Sequence, residues 1–182
     1  MPARARMLIG LVVFQVAWFA CVIFAAQDRS MAAVSAAAAA VAWQVGWSTN
    51  RVADVRLVFV AIAIGVAWDS ALAQGGLVDY ASPEPLAGWA PAWILAMWAL
   101  FASVLREPMQ WLHGRPALAA VFGAIGGPAS YLAAERMGAC RIEDGPRALG
   151  VLAIGWALAT PLLLHLAQRF GRPPARLREA RT

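Results

Sequence analysis

An aspartate and a tyrosine are the residues best placed to do chemistry. Asp69 lies 14 residues after Val55 in one apolar run, and Tyr131 lies 14 residues after Ala117 in another. At 1.5 Å per helical residue, both side chains would lie about 21 Å from the start of their runs. A carboxylate at that depth in a bilayer costs roughly 2–3 kcal/mol unless it faces the protein interior and holds a partner.

We therefore expect Asp69 to face a polar pocket. The Tyr131 hydroxyl is the first candidate donor to it, with Gln15 and indoles such as that of Trp68 as further ones. Two interpretations remain open: a proton or substrate site that opens towards the outer face, or an interhelical hydrogen bond or a wet carboxylate with no further role.

A second carboxylate, Glu135, follows Tyr131 by one helical turn. It lies about 27 Å from the start of the same run. With Asp69 it would form a pair of carboxylates able to share acid–base work around one pocket. The alternative is an interfacial charge pair with the 141–147 loop.

The apolar run that contains Tyr131 is the fifth in the chain. Small residues and a proline interrupt it at Gly123, Gly126, Gly127 and Pro128. Membrane helices tolerate such residues because neighbouring helices satisfy the freed backbone groups. We expect a kink here. Gly123 and Gly127 share one helix face on which another backbone can approach closely. Whether that backbone belongs to the same chain or to a second copy stays open.

Nine tryptophans divide by position. Four fall at the ends of runs and are typical of interfacial anchors: Trp47, Trp89, Trp93 and Trp111. Five fall within runs, where an indole N–H needs a partner, so they should turn inward: Trp18, Trp43, Trp68, Trp98 and Trp156. The inward set would line a pocket for an apolar or ring-shaped ligand, or would only pack the bundle.

The sequence gives no pattern for metal or cofactor chemistry. His113 and His165 have no cysteine or carboxylate cluster around them, so we expect no metal site and no cofactor. Cys21 and Cys140 form no C-x-x-C, and a bridge between them stays open. Phosphate-binding loops, dinucleotide-binding glycines and a Ser-His-Asp arrangement are also missing from the sequence.

Composition identifies the elements that must position these residues. Hydrophobic residues make up 62% of the 182-residue chain and charged residues 14%, with a mean hydropathy of +0.63. This composition is typical of an integral membrane protein. We predict an all-α bundle of six membrane helices in a single domain, 1–168, with helices at 7–26, 31–49, 55–73, 88–105, 117–137 and 148–167. The alanine-rich second helix is the weakest of the set, and Gln74–Pro91 is predicted as a loop.

Arginines account for all the positive charge, since the chain has no lysine. If the N-terminus is cytoplasmic, the inner segments hold 11 arginines and the outer loops hold 4. The positive-inside rule then places both termini in the cytoplasm. We interpret 169–182 as a flexible, arginine-rich cytoplasmic tail. Because the arginines flank apolar runs, they indicate topology rather than nucleic-acid binding.

Three motifs together resemble the domain-of-unknown-function 2878 family. They are Phe14-Gln15-x-x-Trp18-Phe19-x-Cys21-Val22, the third-helix Asp69, and Gly114-Arg115-Pro116 leading through Gly123, Gly126, Gly127 and Pro128 to Tyr131. The resemblance covers nearly the whole chain and implies a small multi-pass protein of a bacterial inner membrane. Its members are associated with lipid-modifying enzymes, which implies an accessory role in envelope lipid modification.

Three functions follow as hypotheses. The first is a non-catalytic membrane protein of unknown activity whose partners are the bilayer and other membrane or lipid-modifying proteins. The second is a small-molecule transporter that uses Asp69 and the kink at Gly126, Gly127 and Pro128. The third is a membrane enzyme that acts on lipid at the outer face. The oligomeric state is not predicted.

Overall fold

Six α-helices and a two-stranded sheet make up the fold of the described residues. The structure is a computed structural model that describes residues 3–83 and 85–171. The predicted tail beyond residue 171 lies outside the described residues. The elements in chain order are α1 (Ala3–Ala26), α2 (Ser30–Gly46), α3 (Arg51–Gln74), β1 (Val78–Tyr80), α4 (Ala92–Leu105), a 3-10 turn (Gln110–Leu112), α5 (Pro116–Arg136), β2 (Cys140–Ile142) and α6 (Gly145–Gly171).

Two helices differ from the predicted bounds for local reasons. Helix α3 begins at Arg51 rather than at 55, because the Asn50 side chain accepts from the Ala53 N–H and caps it. Helix α4 begins at Ala92 rather than at 88, because Pro91 holds an extended conformation at its N-cap. The predicted start at 88 was wrong while the predicted end at 105 agrees with the structure, and α4 has only 14 residues.

Two other helices end at residues that differ from the predicted ones. Helix α2 stops at Gly46 instead of 49, and Trp47 is its C-cap. Helix α6 runs to Gly171, so Arg169 lies in its last turn and not in a tail. Helix α5 is continuous through Pro128.

The segment predicted as a plain loop, Gln74–Pro91, contains strand β1. It pairs antiparallel with β2, with Val78 opposite Ile142 and Tyr80 opposite Cys140. Each strand has only three residues, too few for the alternating pattern that reveals a strand in sequence. The sheet fixes the position of Tyr80.

The bundle has two ends, which we name by their contents. At the sheet end, Ser82 donates to the Ala25 carbonyl and the Trp93 indole donates to the Ala81 carbonyl, which ties β1 to α1 and α4. At the Arg106 end lie the start of α3, the end of α4 and the turn between α2 and α3. Helices α3 and α5 therefore run from the Arg106 end to the sheet end, and α4 and α6 run back.

Apolar side chains cover the outside of the bundle. Leu8, Val12, Val16, Phe19 and Ile23 form an exposed stripe on α1, and similar exposed residues lie on α3, α5 and α6. Four helices, α1, α3, α5 and α6, are long and apolar enough to cross a membrane. An apolar surface of this extent suits lipid rather than water, so the chain is a membrane-embedded protein.

Candidate functional site

Asp69 lies at the centre of a hydrogen-bonded cluster of neutral donors. Its side chain is fully buried. The hydroxyls of Tyr80 and Tyr131 both donate to Oδ1, with Tyr80 at 2.6 Å. The indole Nε1 of Trp98 donates to Oδ2 at 2.6 Å. The carboxylate therefore accepts three hydrogen bonds and has no charged partner among them.

Four different elements supply this cluster. Asp69 is five residues before the end of α3, and Tyr80 lies on β1, Trp98 on α4 and Tyr131 on α5. Gly65, one helical turn before Asp69, allows the Trp98 ring to reach the carboxylate. A Cβ at Gly65 would overlap that ring. The cluster thus joins three helices and the sheet near the sheet end.

A cavity of about 530 Å³ lies against the donors of this cluster. Tyr80, Trp98 and Tyr131 all form part of its wall, while Asp69 lies behind them. Ten of the lining side chains are aromatic, and none of the described lining side chains is charged. A volume of this size falls in the range of small-molecule binding sites.

The cavity opens between α1 and α5. Its wall includes Gln15 and Phe19 of α1 and Phe122 and Ala129 of α5, all of which are exposed at the bundle surface. Helix α1 packs on α2 and α4, whereas α5 packs on α6. The opening therefore lies between two groups of helices and faces the apolar surface, where lipid would be.

The glycines of α5 pack within the chain. A Cβ at Gly123 would overlap the carbonyl oxygen of Trp156, and one at Gly127 would overlap the Trp156 ring. Gly126 meets nothing within 4 Å and faces the cavity. The open question of what the small-residue face contacts is thus answered by α6 of the same chain.

The predicted pocket residues do not all meet. Gln15 lines the cavity, and Tyr131 contacts both the cavity and Asp69. Trp68 packs against Gly155 instead, where a Cβ would overlap its ring. Glu135 accepts from the Ile142 N–H at 2.7 Å, so it ties the end of α5 to β2 and does not line the cavity.

Trp93 is not an interfacial anchor. Its side chain is 1% exposed, and its indole donates to the Ala81 carbonyl at 2.9 Å. The other predicted anchors are exposed: Trp47, Trp89 and Trp111. Within the bundle, the Trp98 and Trp156 rings stack with centroids 4.9 Å apart.

Both cysteines are free and buried. Cys21 contacts the Trp93 carbonyl, and Cys140 contacts the Tyr131 carbonyl and lines the cavity. Burial raises the pKa of Cys140 to about 12, which keeps its thiol protonated and unreactive. Burial also raises the pKa of Tyr80 well above its usual range, so its hydroxyl stays available as a donor to Asp69.

Sequence reasoning missed a second polar cluster, which lies at the Arg106 end. Arg106 donates to both oxygens of buried Asp54, from Nε at 2.6 Å and from Nη2 at 3.1 Å. Glu107 accepts from the Thr49 N–H and hydroxyl and pairs with Arg6 at 3.3 Å. Asp54 lies in the first turn of α3, and an aspartate at the start of an apolar helix was the available signal.

Sequence comparison agrees with the motifs. The family described as "Protein of unknown function (DUF2878)" matches residues 7–162 of the chain. The chain belongs to this family. Comparison with curated proteins and with solved structures finds no match. In this DUF2878 protein, the matched range includes Asp69 and every residue that lines the cavity, from Leu11 to Thr160.

Proposed function

We propose that the protein binds an apolar or amphiphilic molecule that enters sideways from the bilayer, and that it does so as a non-catalytic accessory to envelope lipid modification. The observation that carries this proposal is the aromatic cavity that opens between α1 and α5 at the apolar surface. A site for a water-borne solute would instead open at a polar end of the bundle.

The side chains of the cavity favour binding over covalent chemistry. Its walls are mainly aromatic and aliphatic, and its thiol, on Cys140, is held protonated by burial. Such walls exclude water and hold an apolar molecule through contact area.

The proposal includes a location, a bacterial inner membrane, and a topology of six crossing helices with both termini in the cytoplasm. Arg6, Arg51 and Arg106 lie at one end of the bundle, which agrees with the arginine bias of cytoplasmic loops. Helix α4 is short, but nine of its 14 residues are buried, so protein rather than lipid surrounds it.

Filling the cavity tests the binding role. Gly126→Phe would project a ring into the cavity where nothing lies within 4 Å, while Ile154→Phe places a ring on the exposed face of α6 as a matched control. We expect purified wild type and Ile154→Phe to carry a co-purified amphiphile, detected by mass spectrometry, and Gly126→Phe to lack it. Equal recovery from all three proteins would contradict the proposal.

Cysteine labelling tests the topology. In a variant without Cys21 and Cys140, a cysteine at exposed Asp79 should react with an impermeant reagent in intact cells. A cysteine at exposed Arg51 should react only after the membrane is opened. The reverse pattern would show that the sheet end faces the cytoplasm.

A further inference from the structure

The charge of Asp69 has no positive partner in the described part of the chain. Its three hydrogen bonds come from two phenols and an indole, and no arginine side chain is among the partners or in the cavity wall. A buried carboxylate is costly unless an opposite charge accompanies it. Neutral donors stabilise an ionised Asp69 without cancelling its charge, so a cation in the cavity would favour the ionised form.

The three donors lie between Asp69 and the cavity. Tyr80, Trp98 and Tyr131 give their hydrogens to Asp69, so they offer the cavity only ring faces and phenol lone pairs. Trp18, Trp93 and Trp156 add further aromatic surface. Aromatic faces attract cations, most strongly ammonium groups removed from water.

The shape of the cavity matches a molecule with one polar end. Asp69 lies five residues, or about 8 Å, from the sheet end of α3. Along α4, the lining residues continue beyond Trp98 to Val104, six residues or about 9 Å further towards the Arg106 end. The polar contacts of the Asp69 cluster thus lie near one end, and a mainly apolar channel, with the polar atoms of Gln15, Trp156 and Thr160 in its wall, leads away from it.

From this geometry we propose that the cavity binds an amphiphile with a cationic ammonium head, which lies against Tyr80, Trp98 and Tyr131 with Asp69 as its counter-charge. The alkyl tail extends along α4 and leaves between α1 and α5. This inference rests on the proposed binding role and names the chemical class of the ligand.

The test compares ligands of equal chain length and different charge. Purified protein in nanodiscs is titrated with dodecyltrimethylammonium and with dodecanol, and binding is followed by tryptophan fluorescence. We expect the cation to bind about tenfold or more tightly than the alcohol. Tetramethylammonium, which lacks the tail, should bind far more weakly, and equal affinity for it would overturn the amphiphile in favour of a water-borne cation.

Three variants locate the preference. Asp69→Asn keeps an oxygen for the tyrosine hydroxyls but removes the charge, so it should lose most of the wild-type preference for the cation. Asp79→Asn removes an exposed carboxylate at the same end of the bundle and should keep the wild-type preference. Tyr131→Phe should reduce the preference partway, and it provides a second reading if Asp69→Asn folds poorly.

The outcomes separate this inference from the proposed function. If wild type binds dodecanol and the cation equally, the ammonium head is wrong while the binding cavity stands. If neither dodecyl ligand binds, the binding role fails as well. If Asp69→Asn keeps the preference, Asp69 is not the counter-charge.

Discussion

Helix α3 carries two buried aspartates that have opposite kinds of partner. Asp54 and Asp69 are 5% and 0% exposed and lie 15 residues apart, about 22 Å along the helix. Asp54 receives two hydrogen bonds from the Arg106 guanidinium. Asp69 receives three from uncharged groups.

The different partners of the two aspartates distinguish a structural ion pair at Asp54 from the proposed binding site at Asp69. Paired with a guanidinium, Asp54 has its charge balanced and joins α3 to the end of α4. Asp69 joins more elements, yet it has no cation among its partners and lies behind the wall of a cavity. We therefore assign the Arg106–Asp54 pair a structural role, and the proposed ligand would bind beside Asp69 at the sheet end.

The largest expected effect comes from removing Arg106. Arg106→Met leaves Asp54 buried without its cation, which should lower the free energy of unfolding by about 3 kcal/mol. Thermal and denaturant unfolding of the purified protein would measure this loss. The double variant Asp54→Leu with Arg106→Met should recover most of it, because no buried charge is left alone. Wild-type stability in Arg106→Met would remove the structural role of this pair.

The two aspartates can be compared directly as asparagines. Asp54→Asn leaves the Arg106 charge without its carboxylate, whereas Asp69→Asn loses no cationic partner. We expect Asp54→Asn to lower the free energy of unfolding by about 2 kcal/mol more than Asp69→Asn does. For ligand binding we expect the opposite order of effects. Asp69→Asn should weaken binding, and Asp54→Asn should leave it unchanged. Equal losses of stability would break the distinction between the two ends.

Between the two clusters, packing rather than charge should set stability. Gly123→Ala would press a methyl group onto the Trp156 carbonyl, and the strain should cost about 1–2 kcal/mol despite the better helix propensity of alanine. Gly126→Ala is the matched control, since open space surrounds that position. Unfolding measurements should show no loss in the control, and a similar loss in both variants would point to a helix effect instead of contact with α6.

The sequence supported the helical membrane bundle and drew attention to Asp69 and Tyr131, because an aspartate in an apolar run stands out chemically. Tyr80 could not be found in this way. It reaches Asp69 from a three-residue strand in a glycine-rich segment, and the pairing with β2 that positions it joins residues 60 positions apart, Tyr80 and Cys140. Trp98 was predicted as an inward indole, but its contact with Asp69 depends on Gly65, which has no side chain to block the ring.

Other misplacements have a similar cause. Trp93 falls at a helix end, where tryptophan usually marks the interface, but the β1 segment folds over it and supplies the Ala81 carbonyl. Glu135 is predicted as a second carboxylate for the pocket, but it accepts a hydrogen bond from the Ile142 N–H of β2 instead. In both cases a contact with the sheet segment decided the side chain's role, and helix periodicity carries no information about it.

The smallest expected effect is the loss of folding stability in acid that comes from Glu107 at the Arg106 end. Glu107 is partly buried, and burial alone would raise its pKa. Hydrogen bonds from Thr49 and the charges of Arg6 and Arg106 outweigh burial and hold the pKa below its ordinary 4.5. Because the folded pKa lies below the unfolded one, this contribution is present above about pH 4.5 and is lost as the pH falls through the folded pKa.

Glu107→Gln should therefore remove part of the acid sensitivity of stability. We expect wild type to lose about a few tenths of a kcal/mol more than Glu107→Gln between pH 6 and pH 3, on the order of a partly solvated ion pair. Unfolding of both proteins across that range would measure the difference, and Glu143→Gln, which removes an exposed carboxylate at the sheet end, is the control. If Glu143→Gln changed the acid response as much as Glu107→Gln, the acid-sensitive contacts would not be confined to the Arg106 end. The two ends would then differ in ligand binding alone.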